Sequence, residues 1–534
     1  MYSFKNWVRI SSALIGLSLS RLALAQDPAT QGFVRASQPQ PEYQTIIQLV
    51  PVNATKAQKK KPSMLVPTPA YGPFAQGVWL PAGEYELVNV TTREGLPYPP
   101  VTVRAGEITD LGAWVRVLLG GYDAADIAIP HPVAAAELAK ASSALADKLK
   151  ASPPIVWSQG APPKPFAIGG SSDTTLGLVA DMLMAYNNKV NKPPLNKLLR
   201  EAPTVEEMWR LARFTMKPQT DEGAVDERGN LYYGATLGQV RVRNPAGEWD
   251  VIDVGTLEHI TAVEADGGRL VVGTSRGALW ASDDHGAHWS RIGTLGEGDA
   301  VLDIDHAGSR WFIVGAKYTL MPPNPAGFAN MRMLQEVRLY SSSNAGLTDL
   351  GVLRELARPN GAQWAGSPEM FAGTVSGRYY YVGAMKTLLK VDAESLAVTT
   401  LQPPHMVSGF SLVGSTPVIT AFRLAGLGSK VSVSKDGGTT WKEYPRPSMA
   451  FYDVSFDEAG HGRASRWSVG MWKSTLEFVE WNEAAKDWKL AYTTPPGCLQ
   501  VLRDETNAQK FCVTTGASIL VREGDAWKAE FAVE

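Results

Sequence analysis

The spacing of hydrophobic and polar positions changes character twice along this chain. From Tyr43 to about Leu119, apolar and polar residues alternate in YQTIIQLVPV, GEYELVNV, VTVRA and ITDLGAWVRVLL. That is the period of half-buried strands. Turn-forming PAG (Pro81 to Gly83) and RAGE (Arg104 to Glu107) separate them. From Pro132 to about Phe214 the period becomes helical. Ala134, Leu138, Ala141, Leu145 and Leu149 recur at steps of three and four, which places them on one helix face. TTLGLVADMLMAYNNKV is a second helix, and Thr204 with Glu207 forms a capping box that opens a third. From about Met216 the strand alternation returns, now as a repeat.

The repeat unit is a Gly-polar-apolar turn, a strand ending in Gly, a short turn, a second strand, a polar turn and a Trp strand. GNLYYGATLGQVRVRNPAGEWDVI, from Gly229, and GRLVVGTSRGALWASDDHGAHWSRI, from Gly268, are the clearest copies. Related units start at Gly308, Gly377, Gly414, Gly462 and Asn507. Trp249 and Trp289 lie 40 residues apart, Trp441 and Trp488 lie 47 apart, and Trp488 and Trp527 lie 39 apart. Four short strands repeated at that interval predict a β-propeller, because each sheet exposes two apolar faces that only stacked neighbours can bury. The fold class expected is mainly β: a seven-bladed propeller over 215–534, preceded by a small β-sandwich over 42–120 and a helical connector over 121–214. The degenerate third to fifth units leave six or eight blades open. Residues 26–41, rich in Gln, Pro, Ala and Ser, read as a disordered lead-in.

Two octapeptides share the pattern Ser-x-Asp-x-Gly-x-x-Trp: Ser282, Asp284, Gly286 and Trp289 in SDDHGAHW, and Ser434, Asp436, Gly438 and Trp441 in SKDGGTTW. The pattern resembles the Asp-box, or BNR repeat, of sialidases, sortilin-type receptors and photosystem assembly factors. The resemblance implies a structural turn between the third and fourth strands of a blade. There the Asp accepts from turn amides, the Gly takes positive φ and the Trp ring packs between sheets. It also implies that ligands bind on the opposite face. The run LPAGEYELVNV, with PPVTVRAGEITDLG, resembles PEGA-type and carboxypeptidase-regulatory-like β-sandwiches, which implies an accessory module.

The first 25 residues read as a secretory signal peptide: Lys5 and Arg9, an apolar stretch from Ile10 to Ser20, then Ala23-Leu24-Ala25. Later in the chain no stretch reaches the ~18 apolar residues of a membrane helix. Removing the leader takes the formal net charge from −2 to −5, which gives no electrostatic case for nucleic acid. A chain with this leader and only two cysteines points to a bacterial periplasmic or secreted location. KAQKKKP (Lys56 to Pro62) reads as a solvated loop, or as a contact for an anionic surface.

Candidate chemistry is sparse, and no cofactor or metal is expected. A sialidase would carry Arg-Ile-Pro, an arginine triad and a Tyr/Glu nucleophile pair. The tripeptide is absent, and Arg241, Arg243, Arg269, Arg338, Arg423 and Arg466 show no spacing that selects three. Tyr232-Tyr233 and Tyr379-Tyr381 read as strand residues packing between blades. Gly273-Thr-Ser275-Arg-Gly277 fits a nucleophile elbow, but a strand follows where a helix is needed. The seven histidines form no ligand spacing, and His285 and His288 read as exposed turn residues. Cys498 and Cys512 flank a polar turn, so a disulfide closing the last blade is expected, worth roughly 3 kcal/mol. The alternative, a redox pair, lacks CxxC spacing. YTLMPPNPAGFANMRMLQEV interrupts the third unit. Its Met321, Phe328, Met331 and Met333 make a loop that contacts a partner or folds back on its blade. The function expected is non-catalytic binding of a protein or cell-envelope glycan. A glycoside hydrolase on the same propeller, or an assembly factor for a membrane complex, are the alternatives.

Overall fold

Alternate side chains of a strand point to opposite faces, so a strand buried on both faces must satisfy two neighbours at once. That condition organises both parts of this chain. A computed structural model describes residues 27–532 except 40–46, 56–62, 66–67, 70–76, 90–95, 121–122, 130–149, 152–159, 168–193, 297–298, 321–331, 359–370, 385–386, 405–408, 414–417, 423–429, 449–450, 470–473, 496, 504–509 and 515–516. The leader, the lysine run and the first two expected helices therefore lie outside the described residues, apart from Lys150 and Ala151. The chain divides into two compact units, the second starting at Met216.

In the first unit Glu107–Leu118 pairs in parallel with Gln31–Gln38 and antiparallel with Asp123–Ile129. Gly77–Pro81 adds to the far side of Gln31–Gln38. This corrects the disordered lead-in: Gln31–Gln38 is a strand with Phe33, Val34 and Ala36 buried. Its polar composition concealed it, because Arg35 is buried against Asp110 at 3.8 Å rather than solvated. A second correction concerns the connector. Asp123–Ile129, Lys150–Ala151 and Phe166–Ala167 are strands of this same sheet. DAADIAI has weak strand propensity. It is held by burial on both faces and by a bidentate pair, Arg116 to Asp126 at 2.7 and 2.9 Å. Another sheet runs Ser63–Leu65, Ile47–Pro51, Gly83–Asn89, Val101–Val103. Two helices follow, Pro194–Glu201 and Val205–Ala212. Thr204 caps the latter by accepting from the Glu207 amide at 3.1 Å. The Glu207 carboxylate instead turns forward to Arg210, at 2.7 and 2.8 Å.

Among the described residues the second unit contains seven four-stranded antiparallel sheets, each with its strands in chain order. They span 224–253 (sheet I), 260–294 (II), 299–357 (III), 371–401 (IV), 409–445 (V), 451–493 (VI) and 498–531 (VII). Each consecutive pair shares an apolar seam. Tyr232 and Val240 meet Ile260 and Leu270 between I and II. Val271 and Leu279 meet Ile304 and Trp311 between II and III. Phe312 and Val314 meet Tyr380 and Val382 between III and IV. Tyr381 and Leu388 meet Ile419 between IV and V. Val431 and Val433 meet Val454 and Phe456 between V and VI. Leu476 and Phe478 meet Val501 and Cys512 between VI and VII. A seventh seam joins the last sheet to the first, with Leu502 and Phe511 against Leu231 and Tyr233. Adjacent residues serve adjacent seams: Tyr232 packs in I/II and Tyr233 in VII/I, Trp311 in II/III and Phe312 in III/IV.

Candidate functional site

The two Ser-x-Asp-x-Gly-x-x-Trp turns have the same hydrogen bonds. Ser282 Oγ donates to Asp284 Oδ1 at 2.8 Å and accepts from the Gly286 amide at 2.8 Å. Ser434 Oγ donates to Asp436 Oδ1 at 2.7 Å and accepts from the Gly438 amide at 2.8 Å. The Asp carboxylates accept from the amides four residues on, of His288 and Thr440, both at 2.8 Å. The Thr440 hydroxyl holds the Asp436 carboxyl down at about 2, and the His288 ring holds that of Asp284 below the usual carboxylate range. Trp289 and Trp441 donate to the carbonyls of Gly286 and Gly438 at 3.0 and 3.2 Å. Both glycines have φ of 91°, and a Cβ on either would lie 2.9 Å from an aliphatic side chain of the preceding sheet, Ile252 or Leu401. These groups are spent on the turn and its seam.

A third such turn escaped the sequence reading. Ser342-Ser-Asn344-Ala-Gly346-Leu-Thr-Asp349 joins the third and fourth strands of sheet III, with Asp349 where the Trp would stand. Asp349 accepts from Ser342 Oγ at 2.5 Å, the Ser343 amide at 3.1 Å and Asn344 Nδ2 at 2.9 Å. Leu347 takes φ of 53° and is buried in seam II/III. The retained Ser-x-Asn-x-Gly was the available signal.

The other candidates separate. Ser275 lies in a strand–turn–strand hairpin, its amide bonded to the His259 carbonyl at 2.9 Å. His288 is exposed, but His285 is not: its Nδ1 lies 3.0 Å from the buried Asp226, so the exposed reading of His285 is corrected. Asp226 is built to receive it, since it also accepts from Asn230 and from the Tyr232 hydroxyl at 2.8 Å. Arg243 pairs with Glu530, Arg269 with Asp283, Arg338 with Glu336 and Arg466 with Glu477, while Arg241 donates to the Met216 carbonyl. Arg423 lies outside the described residues. Cys498 and Cys512 are joined in a disulfide in seam VI/VII, with Cα atoms 5.6 Å apart.

Met321, Phe328 and Met331 also lie outside the described residues. Met333 lies on a strand. The middle strands of sheet III, Arg310–Leu320 and Arg332–Ser342, are 11 residues each, against 4 to 9 for the middle strands of the other sheets. The flanking strands stop at the pairs Asp299↔Lys317 and Val337↔Ala357. Beyond them Tyr318↔Leu334, Thr319↔Met333 and Leu320↔Arg332 continue as a two-stranded ribbon among the described residues. It issues from the edge of the sheet opposite the Ser342–Asp349 turn. At its base Glu336 bonds Arg338, and Arg358 bridges Glu336 at 3.3 Å and Glu355 at 2.8 Å.

Sequence reading also missed a group of half-buried acids. Asp303 and Asp305, on Asp299–Ala307, meet the buried Tyr380 of sheet IV. On the other face of the same strand His306 Nδ1 lies 2.7 Å from Glu264 Oε1. Burial pushes the Asp303 carboxyl up to about 6, and Glu264 raises the His306 imidazole. The Tyr380 hydroxyl is enclosed, so it has no access to a substrate. Only pairing across strands from different sheets brings these residues together.

No protein-family profile matches the chain, and no curated protein matches it. Solved structures give distant likenesses. YCF48 from Cyanidioschyzon merolae is 13% identical, over 57% of this chain and 96% of that one, with a TM-score of 0.38. YCF48 bound to a D1 peptide is 12% identical, over 58% and 95%, with a TM-score of 0.40. The WD40 β-propeller domain of Doa1 is 11% identical, over 58% and 94%, with a TM-score of 0.37. Scores this low assign no family. The chain itself is mainly β and rich in four-stranded sheets.

Proposed function

We infer that this chain is an exported, non-catalytic binding protein whose seven sheets are the blades of one β-propeller. Its partner is a protein that docks on the face carrying the hairpins between second and third strands. Seven seams for seven sheets, including the one between VII and I, support the ring. The leader sequence supports export. The observation that carries the binding role is the ribbon of sheet III. Its described part is a two-stranded extension on the side away from the Asp-box-like turns, and the sequence joining the two strands is rich in Met and Pro. Such surfaces adapt to protein partners. A role as an assembly factor falls within this reading.

The test is capture of envelope proteins by the mature chain after cross-linking, compared with a chain lacking 321–333. The deletion should leave the thermal transition within about 2 °C of wild type and cut partner recovery by at least tenfold. Unchanged recovery rejects the ribbon as the contact. Cleavage of any member of a glycoside panel run in parallel replaces the reading with a hydrolase.

A further inference from the structure

One imidazole bridges seam II/III. His306 lies near the end of Asp299–Ala307, the first strand of sheet III. Glu264 and Asp266 lie on Ile260–Asp266, the first strand of sheet II. Two residues apart on one strand, these acids leave it on the same face. They meet different ring nitrogens: His306 Nδ1 is 2.7 Å from Glu264 Oε1, and Nε2 is 3.6 Å from Asp266 Oδ1. The ring stacks on Trp311, its cross-strand neighbour in sheet III, with centroids 5.1 Å apart and planes at 23°. Trp311 is fully buried in the same seam.

A neutral imidazole carries one N–H and one lone pair, so it can offer a proton to only one of two carboxylates. Its other nitrogen would then turn a lone pair towards an anion. The imidazolium offers an N–H on both sides. We propose that protonated His306 is a clasp that ties sheet III to Glu264 and Asp266 of sheet II, and that loss of its proton in mild base loosens seam II/III.

The other charged groups near the ring are engaged elsewhere. On the second strand of sheet II, Val271 stands opposite Glu264 and Arg269 opposite Asp266. The Arg269 guanidinium bonds Asp283 and, at 2.8 Å, the Ala345 carbonyl. In sheet III, Asp349 is bound within its own turn by Ser342 and Ser343. Asp303 and Asp305 leave their strand on the face opposite His306. The hydrogen bond from Glu264, then the charges of Glu264 and Asp266, raise the His306 imidazole against the opposing effect of burial. A histidine raised on folding lends its full stability below the unfolded value, about 6.5, and loses it as pH rises through the native value. Burial raises the Glu264 carboxyl and His306 opposes that rise, so acid that protonates Glu264 also releases the clasp. Asp303, raised by burial to about 6, loses stability in the same direction as His306, so the pair has to be isolated from the overall pH profile.

A double-mutant cycle on the full chain isolates it. Urea unfolding of wild type, Glu264→Gln, His306→Gln and the double variant should give a coupling of roughly three- to thirtyfold in the folding constant at pH 6, falling at least about threefold by pH 9. Coupling that is absent at pH 6, or equal at the two pH values, overturns the proposal. Histidine ring resonances followed by NMR from pH 5 to 9 give a readout that needs no His306 variant. One histidine should titrate above about 6.5 in wild type, at lower pH in Glu264→Gln, and in between in Asp266→Asn. If every histidine titrates at the same pH in wild type and Glu264→Gln, there is no clasp.

Discussion

Two seams of the second unit solve the same packing problem with opposite electrostatics. Seam VII/I is crossed by complementary polar groups. Glu530 accepts from both Arg243 and the Trp249 indole at 2.8 Å, Gln500 donates to Asp221 at 2.6 Å, and Tyr233 donates to the Arg503 carbonyl at 2.9 Å. Seam III/IV carries stacked aromatics and two carboxyl groups crowded over a glycine. Sheets III and IV follow one another in the chain, so a short link holds them together whatever the seam costs. Sheets VII and I are separated by nearly the whole unit, and the entropy of bringing distant segments together grows with the length between them. The seam without a short link therefore carries the attractive charge, and the tethered seam tolerates repulsion.

The largest test of that contrast is truncation of an apolar anchor. Phe511→Ala empties a fully buried site in seam VII/I, against the edge of Trp249 at 5.4 Å, and should cost about 3–5 kcal/mol in urea unfolding. Phe312→Ala in seam III/IV is the matched control. If Phe511→Ala costs less than a third of what Phe312→Ala costs, seam VII/I is not a structural joint. Next is Glu530→Gln, which removes the charge shared by Arg243 and Trp249 in a partly buried setting. A loss of about 2 kcal/mol is expected, and an unchanged urea midpoint would make the charge complementarity incidental. The smallest effect belongs to a turn that serves neither of these seams. Asp436→Ala should cost about 1 kcal/mol, comparable to loss of a helix cap. Because the Asp436 carboxyl is depressed to about 2, its contribution is present above pH 4 and fades as pH falls towards 2. The gap between variant and wild type should close over that interval, and a gap constant down to pH 2 would break the assignment.

What the sequence made readable follows the range of the interactions. The turns at 282–289 and 434–441 bond mostly within four residues, so their pattern is written in eight consecutive letters. The Ser342–Asp349 turn uses the same hub with Asp349 in the Trp position, and a pattern anchored on Trp passes over it. Gln31–Gln38 and DAADIAI were misread because their polar residues are buried against partners found only after folding, Asp110 for Arg35 and Arg116 for Asp126. A composition rule prices those residues as solvated.

By itself, then, the sequence determined the repeat: period-two alternation, a recurring glycine turn and a Trp at intervals near 40 residues, each a local consequence of how strands expose two faces. Tertiary structure decided which chemistry meets. Arg243 finds Glu530 across 287 residues, His285 finds Asp226 across 59, and Asp303 finds Tyr380 across 77. No local spacing encodes such pairs. They arise because each seam joins faces of two different sheets, and the order of the sheets, rather than proximity in the chain, selects the side chains that share a low-dielectric space.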